Sequence, residues 1–112
     1  MVWTPSPDRI AALLTQGLAQ HNAGDFERAE KLYRQALALA ADRTPSQADA
    51  LHFLGVLLHQ KGDSHAGAAL LEQAAPLKGQ NPDFLADFGL VLKEDKRWGK
   101  AKEVLRQALG RA

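Results

Sequence analysis

The sequence predicts an all-α protein of about six helices, paired into three tandem helix-turn-helix units that stack into a short curved array. Three observations predict it. Apolar residues are mainly Ala and Leu, which rank high in helix propensity, whereas the β-branched residues that favour strands are scarce. Apolar residues also recur at three- and four-residue steps, as in Leu51, Leu54 and Leu58, in Leu85, Phe88 and Leu92, and in Val104, Leu105, Ala108 and Leu109. Finally, the chain repeats itself: aligning Gly17, Gly55 and Gly89, spaced by 38 and 34 residues, brings one frame of residue types into register.

The elements follow in order. A first helix near 7–22 is announced by Ser6-Pro7-Asp8, a capping side chain before a proline in the first turn. Trp3 precedes it and is expected to fold back over the N-terminal face as a staple. A second helix, near 25–41, starts after Gly24, a residue suited to the left-handed conformation that ends a helix. The third, near 45–60, opens at Thr44-Pro45-Ser46-Gln47, with Gln47 placed for a capping box. The four extra residues of the first spacing fall around Ala41–Thr44, where they lengthen either a helix or a loop. Gly62 introduces the fourth helix, near 64–76. Asn81-Pro82-Asp83 caps the fifth, near 83–95, and the sixth runs near 98–110.

Within the repeating frame, Leu13, Leu51 and Leu85 lie four residues before their glycines, and Leu58 and Leu92 three after. A turn comes seven after: Gly24-Asp25-Phe26, Gly62-Asp63-Ser64, Lys96-Arg97-Trp98. Small residues follow at twelve (Ala29, Gly67, Ala101) and nineteen (Ala36, Ala74, Ala108), with large ones at sixteen (Tyr33, Leu71, Leu105). Each mid-helix glycine costs roughly 1 kcal/mol of helix propensity relative to Ala. Three such costs at one place imply a benefit, the close approach of a neighbouring helix.

These residues resemble the tetratricopeptide repeat, and the resemblance spans about residues 10–110. It is strongest in Asn22-Ala-Gly-Asp-Phe-Glu-Arg-Ala-Glu-Lys-Leu-Tyr-Arg-Gln-Ala-Leu. The first helix departs from the family at Gln16 and Gln20, the second repeat at Gly67, and the third lacks glycine in its turn. The resemblance implies a right-handed α-solenoid in one domain over 1–112, with repeats at about 10–43, 48–81 and 82–112. It also implies that Phe26 and Trp98 pack as aromatics on the preceding helix.

Composition narrows the functional classes. With no cysteine among 112 residues, disulfides and cysteine-ligated metals are excluded. The start has no basic stretch followed by an apolar one, so it does not read as a secretory signal, and no apolar run approaches the roughly 20 residues that cross a bilayer. The expectation is a soluble cytoplasmic protein without membrane contact. The net charge of +1 hides an asymmetry: residues 1–95 carry 8 Lys/Arg against 12 Asp/Glu, whereas Lys96, Arg97, Lys100, Lys102, Arg106 and Arg111 face Glu103 alone at the end of the chain.

In such a stack the first helix of each pair lines the concave side. The resemblance places Leu14, Leu18, His21 and Asn22 there, then Asp49, His52, Phe53, Val56, His59 and Gln60, then Asp83, Ala86, Asp87, Leu90, Lys93 and Glu94. The implied groove has an apolar middle with acids toward one end. Leu14, Leu18, Asp83 and Asp87 stand where some family members place basic and amide residues to grip a carboxylate terminus, and the aspartates would repel one. The expected ligand is another protein or peptide, partly apolar and partly basic.

Other chemistries find little support. His52 and His59 are seven apart and lack a confirmed third ligand, so no metal site is assigned, and no cofactor. Ser6, Ser46 and Ser64 read as cap or turn residues, and Gly99-Lys100 lacks the upstream glycine of a phosphate loop. No catalytic residue is assigned, and the expectation is a non-enzymatic scaffold or adaptor. A second reading is self-association through Leu105, Leu109, Lys102 and Arg106, because a third repeat ending near Ala112 leaves both leucines without a following helix. Nucleic acid is disfavoured, since the basic residues surround the helix and no aromatic stacking platform accompanies them. A module accessory to a larger enzyme, such as the repeat-bearing bacterial glycosyltransferases, is a further alternative.

Overall fold

The computed structural model describes residues 7–110 and shows six helices with no strand among them. They are α1 (Pro7–Asn22), α2 (Phe26–Leu39), α3 (Pro45–Gln60), α4 (Ser64–Lys78), α5 (Pro82–Glu94) and α6 (Trp98–Gly110). Ser6, Trp3 and Arg111 lie outside the described residues.

Local chemistry sets the boundaries. Asp25, Thr44, Asp63 and Asn81 each accept a hydrogen bond from the backbone N–H three residues on, which satisfies a donor that no helical carbonyl can reach. Gln47 turns back as expected of a capping box, but its Oε1 takes the Arg43 N–H at 2.8 Å. Three helix ends share one hydrogen-bond pattern: the N–H groups of Asp25, Asp63 and Arg97 reach back to the carbonyls of Gln20, Leu58 and Leu92. That closure needs a left-handed residue, supplied by Gly24 at φ 85°, Gly62 at φ 99° and, without a glycine, Lys96 at φ 63°.

Two boundaries differ from expectation. α2 stops at Leu39 because Ala40 is extended (φ −74°, ψ 137°), so the four extra residues form a loop, held by Thr44 Oγ1 on the Ala41 carbonyl and Gln47 on Asp42. α4 passes through Pro76 to Lys78. The proline removes one helical N–H in the last turns, where little helix remains to disrupt.

Each helix packs on its sequence neighbour, and successive first helices also touch, α1 on α3 and α3 on α5. The result is an array of 49 × 27 × 22 Å. Its core has two parts. Ile10, Leu14, Tyr33, Leu54 and Leu57 fill one, Leu51, Leu71, Phe84, Phe88 and Leu92 the other, and Leu37 and Leu70 pack against both.

The aligned glycines show why the frame repeats. A Cβ on Gly17 would meet the Tyr33 ring at 2.5 Å, one on Gly55 the Leu71 side chain at 3.0 Å, and one on Gly89 Leu105 at 2.5 Å. The large residue sixteen positions on lies over the glycine in every repeat. Close packing explains all three.

Candidate functional site: the face of the first helices

Leu18, Val56 and Leu90 each directly follow an aligned glycine, so they occupy one position on three successive first helices. Leu18 and Val56 are half-buried, and Leu90 is 47% exposed. This apolar strip remains accessible.

Two predicted groove residues are not accessible. Leu14 is 7% exposed and belongs to the core with Leu54 and Leu57 of the next repeat. His52 is likewise 7% exposed. Both stand three residues before their glycine, where the following repeat covers them; Ala86, at the same place in the third repeat, is exposed.

The polar residues are largely engaged with one another. Lys78, reaching in from α4, donates to Asp49 Oδ1 at 2.8 Å and to His52 Nδ1 at 2.7 Å. An ammonium only donates, so Nδ1 must accept, and the proton of the neutral imidazole sits on Nε2. From there it is donated to Asp87 Oδ2 at 2.8 Å. The chain Asp49–Lys78–His52–Asp87 therefore ties α3, α4 and α5 together and carries a net charge of −1. Phe53 is half-buried beneath it, its ring 5.4 Å from Lys78 Nζ and 5.9 Å from the Tyr33 ring. The expected acidic end is correspondingly weaker, with Asp83 left exposed beside the network.

A second relay joins α1 to α3. The Tyr33 hydroxyl, fully buried, donates to His21 Nδ1 at 3.1 Å, and His21 Nε2 donates to Gln60 Oε1. Burial pushes the Tyr33 phenol up to about 12. His21 thus satisfies a buried hydroxyl, with its ring edge-on to Phe26 at 5.4 Å. His59 bonds Ser64 Oγ at 2.8 Å, and His65 faces solvent beside Asp95. Asn22 and Gln60 are exposed at the end of this face.

At the far end Lys93 lines a cleft of about 520 Å³ with α6 residues, among them Leu105 and Leu109. Trp98 lines it too and is 60% exposed, contrary to the expected packing on the preceding helix. Phe26 has the His21 ring to pack on; the equivalent place in the third repeat holds Lys93. Lys102 and Arg106 are exposed on its rim, and Leu109 is 78% exposed.

Two further features concern carboxylates between repeats. Glu30 receives Lys61 at 2.8 Å, and that bond, with Arg34, holds its carboxyl below the ordinary range against the opposing effect of burial. Burial pushes Glu72 up, but hydrogen bonds from Arg97 and Lys100 together outweigh it and leave it lowered. Nothing in local spacing announces these pairs.

Helical hairpins stacked through glycine contacts, with capped turns of one geometry, define a helical-repeat solenoid. The chain has the fold of tetratricopeptide-repeat proteins, and residues 12–45 match the model of the tetratricopeptide repeat family. It is 39% identical over 81 residues to the photosystem I assembly protein Ycf3 of Acaryochloris marina, covering 72% of this chain and 44% of that protein. The chain thus spans less than half the length of that curated relative. Among solved structures it is similar to an O-GlcNAc transferase mutant of Thermobaculum terrenum, at TM-score 0.85 and 27% identity over 97% of this chain and 20% of that one. MamA shares the fold at TM-score 0.80 and 21% identity, over 95% of this chain and 60% of that one. No helix among the described residues is long and apolar enough to cross a membrane.

Proposed function

We propose that this chain is a non-enzymatic protein-interaction scaffold that seats a peptide segment or partner protein along the face of α1, α3 and α5. One observation carries the reading: Leu18, Val56 and Leu90 form an accessible apolar strip at one register position, flanked by polar groups already fixed by Lys78, His52 and His21. A prearranged surface of this kind binds without a large ordering cost. Asp83 and the net −1 of the relay favour a ligand that is apolar in part and weakly basic. The family supports an interaction role, and the relative Ycf3 is by its name an assembly protein. A second reading, a repeat module accessory to a larger enzyme, is favoured by the match to one fifth of an O-GlcNAc transferase.

Titration with a basic amphipathic peptide, followed residue by residue by NMR, tests the first reading. Shifts should concentrate at Leu18, Val56 and Leu90, and Val56→Glu with Leu90→Glu should abolish them. Shifts elsewhere, or none, would overturn it.

A further inference from the structure

The Asp49–Lys78–His52–Asp87 relay borders the apolar strip at its middle, and a single proton would rearrange it. Histidine is the side chain whose charge ordinarily changes between about pH 5 and 8. His52 is buried, its Nε2 donates to Asp87 Oδ2 at 2.8 Å, and its Nδ1 receives Lys78 Nζ at 2.7 Å. A second proton has one place to go, on Nδ1. There it would face an ammonium, which donates and cannot accept. The proton and Lys78 therefore compete for one lone pair.

The surroundings favour neither form outright. Asp49 on α3 itself and Asp87 on α5 would attract a positive ring, with Asp83 exposed one turn before Asp87. Lys78 from α4 opposes it, and so does burial between the Phe53 and Phe84 rings, 5.5 Å and 5.1 Å away. Toward α2, the Phe53 ring lies between His52 and the Tyr33 phenol. Toward α1, the packing on α3 is apolar through Leu14, and His21 bonds Gln60 two turns further along. Two carboxylates against one ammonium leave the relay at −1, so it has charge to spare for an imidazolium. Lys78 also has somewhere to go, because Asp49 Oδ1 already accepts from it at 2.8 Å.

We infer that the relay makes the groove acid-sensitive: a proton on His52 Nδ1 displaces Lys78 and brings the relay from −1 to zero, so a basic ligand is held less tightly in acid. The inference rests on the groove reading above and adds a control to it. Lys78 Nζ lies 5.4 Å from the Phe53 ring, and Phe53 stands one turn before Val56 of the strip. Its displacement therefore changes both the charge and the cover of the surface beside Val56. Coupling of this kind is reciprocal, so a basic ligand in the groove holds His52 neutral to lower pH.

The experiment follows the His52 ring and the Lys78 ammonium by NMR of the whole chain as pH is lowered from about 8 to 5. His52 should gain its proton on Nδ1, and the protected ammonium signal of Lys78 should be lost in the same step. Lys78→Met should let His52 take the proton at higher pH. His52→Gln has an amide that accepts from Lys78 and donates to Asp87 without titrating, and it should keep the Lys78 signal throughout. Circular dichroism establishes that both variants keep their helices. A basic amphipathic peptide free of histidine should bind the parent about fivefold more weakly below the step than above it. It should bind His52→Gln equally on both sides, and should move the parent's step to lower pH. A ring that stays neutral until the chain unfolds, a Lys78 signal lost equally in His52→Gln, or peptide affinity unchanged across the step would overturn the inference alone. A peptide that binds at no pH would overturn the groove reading and the inference with it.

Discussion

Gly67 and Gly55 meet backbone to backbone: a Cβ on Gly67 would stand 2.5 Å from the Gly55 carbonyl oxygen. A carbonyl belonging to a helix cannot turn aside as a side-chain tip can. Where Ala is usual in the repeat, this chain has instead brought two helices closer than Ala permits. Gly67→Ala would gain about 1 kcal/mol of helix propensity. Forcing the helices apart costs typically about 1–3 kcal/mol and often more when backbone must move. The expected net is a loss, read as a lower urea midpoint with unchanged slope. Gly99→Ala, where an added Cβ meets nothing within 4 Å, should hold the parent midpoint or exceed it. A Gly67→Ala protein as stable as the parent would show that α3 and α4 are free to separate.

Lys96 offers the opposite case. It adopts φ 63° in the position where the two earlier repeats place Gly24 and Gly62. A left-handed conformation costs an ordinary L-residue roughly 1–2 kcal/mol that glycine avoids. Lys96 is exposed and takes part in no ion pair among the described residues, so its side chain returns little. Lys96→Gly should therefore raise stability by about 1 kcal/mol despite glycine's looser unfolded state. An unchanged or lower thermal midpoint would mean the turn is not strained.

The contrast between these two positions shows what was legible in the sequence. The glycine frame, the turns and the caps are local patterns, and periodicity reads them directly. Leu14 and His52, which the sequence places on the accessible face, are buried for a different reason. Periodicity identifies the face a residue occupies but not whether the next repeat covers it, and both lie where α3 or α5 closes over the preceding helix. The Lys78 contacts were illegible, since a side chain 26 and 29 residues away joins His52 and Asp49. Trp98 followed the family pattern in sequence, yet it lacked the His21 ring that gives Phe26 its contact.

The Lys78 relay makes a prediction of its own. His52 is buried with both ring nitrogens bonded, and its Nδ1 has Lys78 as donor. Lys78→Met retains the stem but leaves Nδ1 and Asp49 without that donor. An unmade hydrogen bond at a buried acceptor costs about 1–3 kcal/mol. The variant should lose stability by that order, and nitrogen shifts of the parent's His52 should report the Nε2–H tautomer. A parent ring protonated on Nδ1 would contradict the relay as described.

Acid should weaken the contact between the first two repeats. The Glu30 carboxyl is held below its ordinary value chiefly by the Lys61 hydrogen bond, so folding favours its charged form. That contribution is present above the unfolded carboxylate range, about 4.5, and disappears as pH falls through the lower folded value. With both partners partly solvated its size is small, as for other surface pairs. Glu30→Gln should lower stability slightly above about 4.5 and flatten part of the loss in acid, so that the two proteins converge as pH falls. An unchanged acid slope would remove Glu30 from the account.

At the other extreme, Tyr33 should govern alkaline behaviour. Burial raises its phenol to about 12 from 10.0, because the interior disfavours the phenolate. The sign follows from linkage: below 10 the contribution is fully present, and as pH rises the unfolded chain ionises first and draws the equilibrium toward unfolding. The loss should grow until the folded phenol itself titrates. Tyr33→Phe removes this dependence, although it leaves His21 Nδ1 without its donor and so lowers stability at neutral pH by about 1 kcal/mol. Denaturation followed by helical ellipticity across the alkaline range separates the two effects, since the parent should steepen more than Tyr33→Phe above 10. A parent curve parallel to that of Tyr33→Phe would mean that the hydroxyl reaches solvent and that the Tyr33 ring lies less closely over Gly17 than its place, 2.5 Å from where a Cβ would stand, describes.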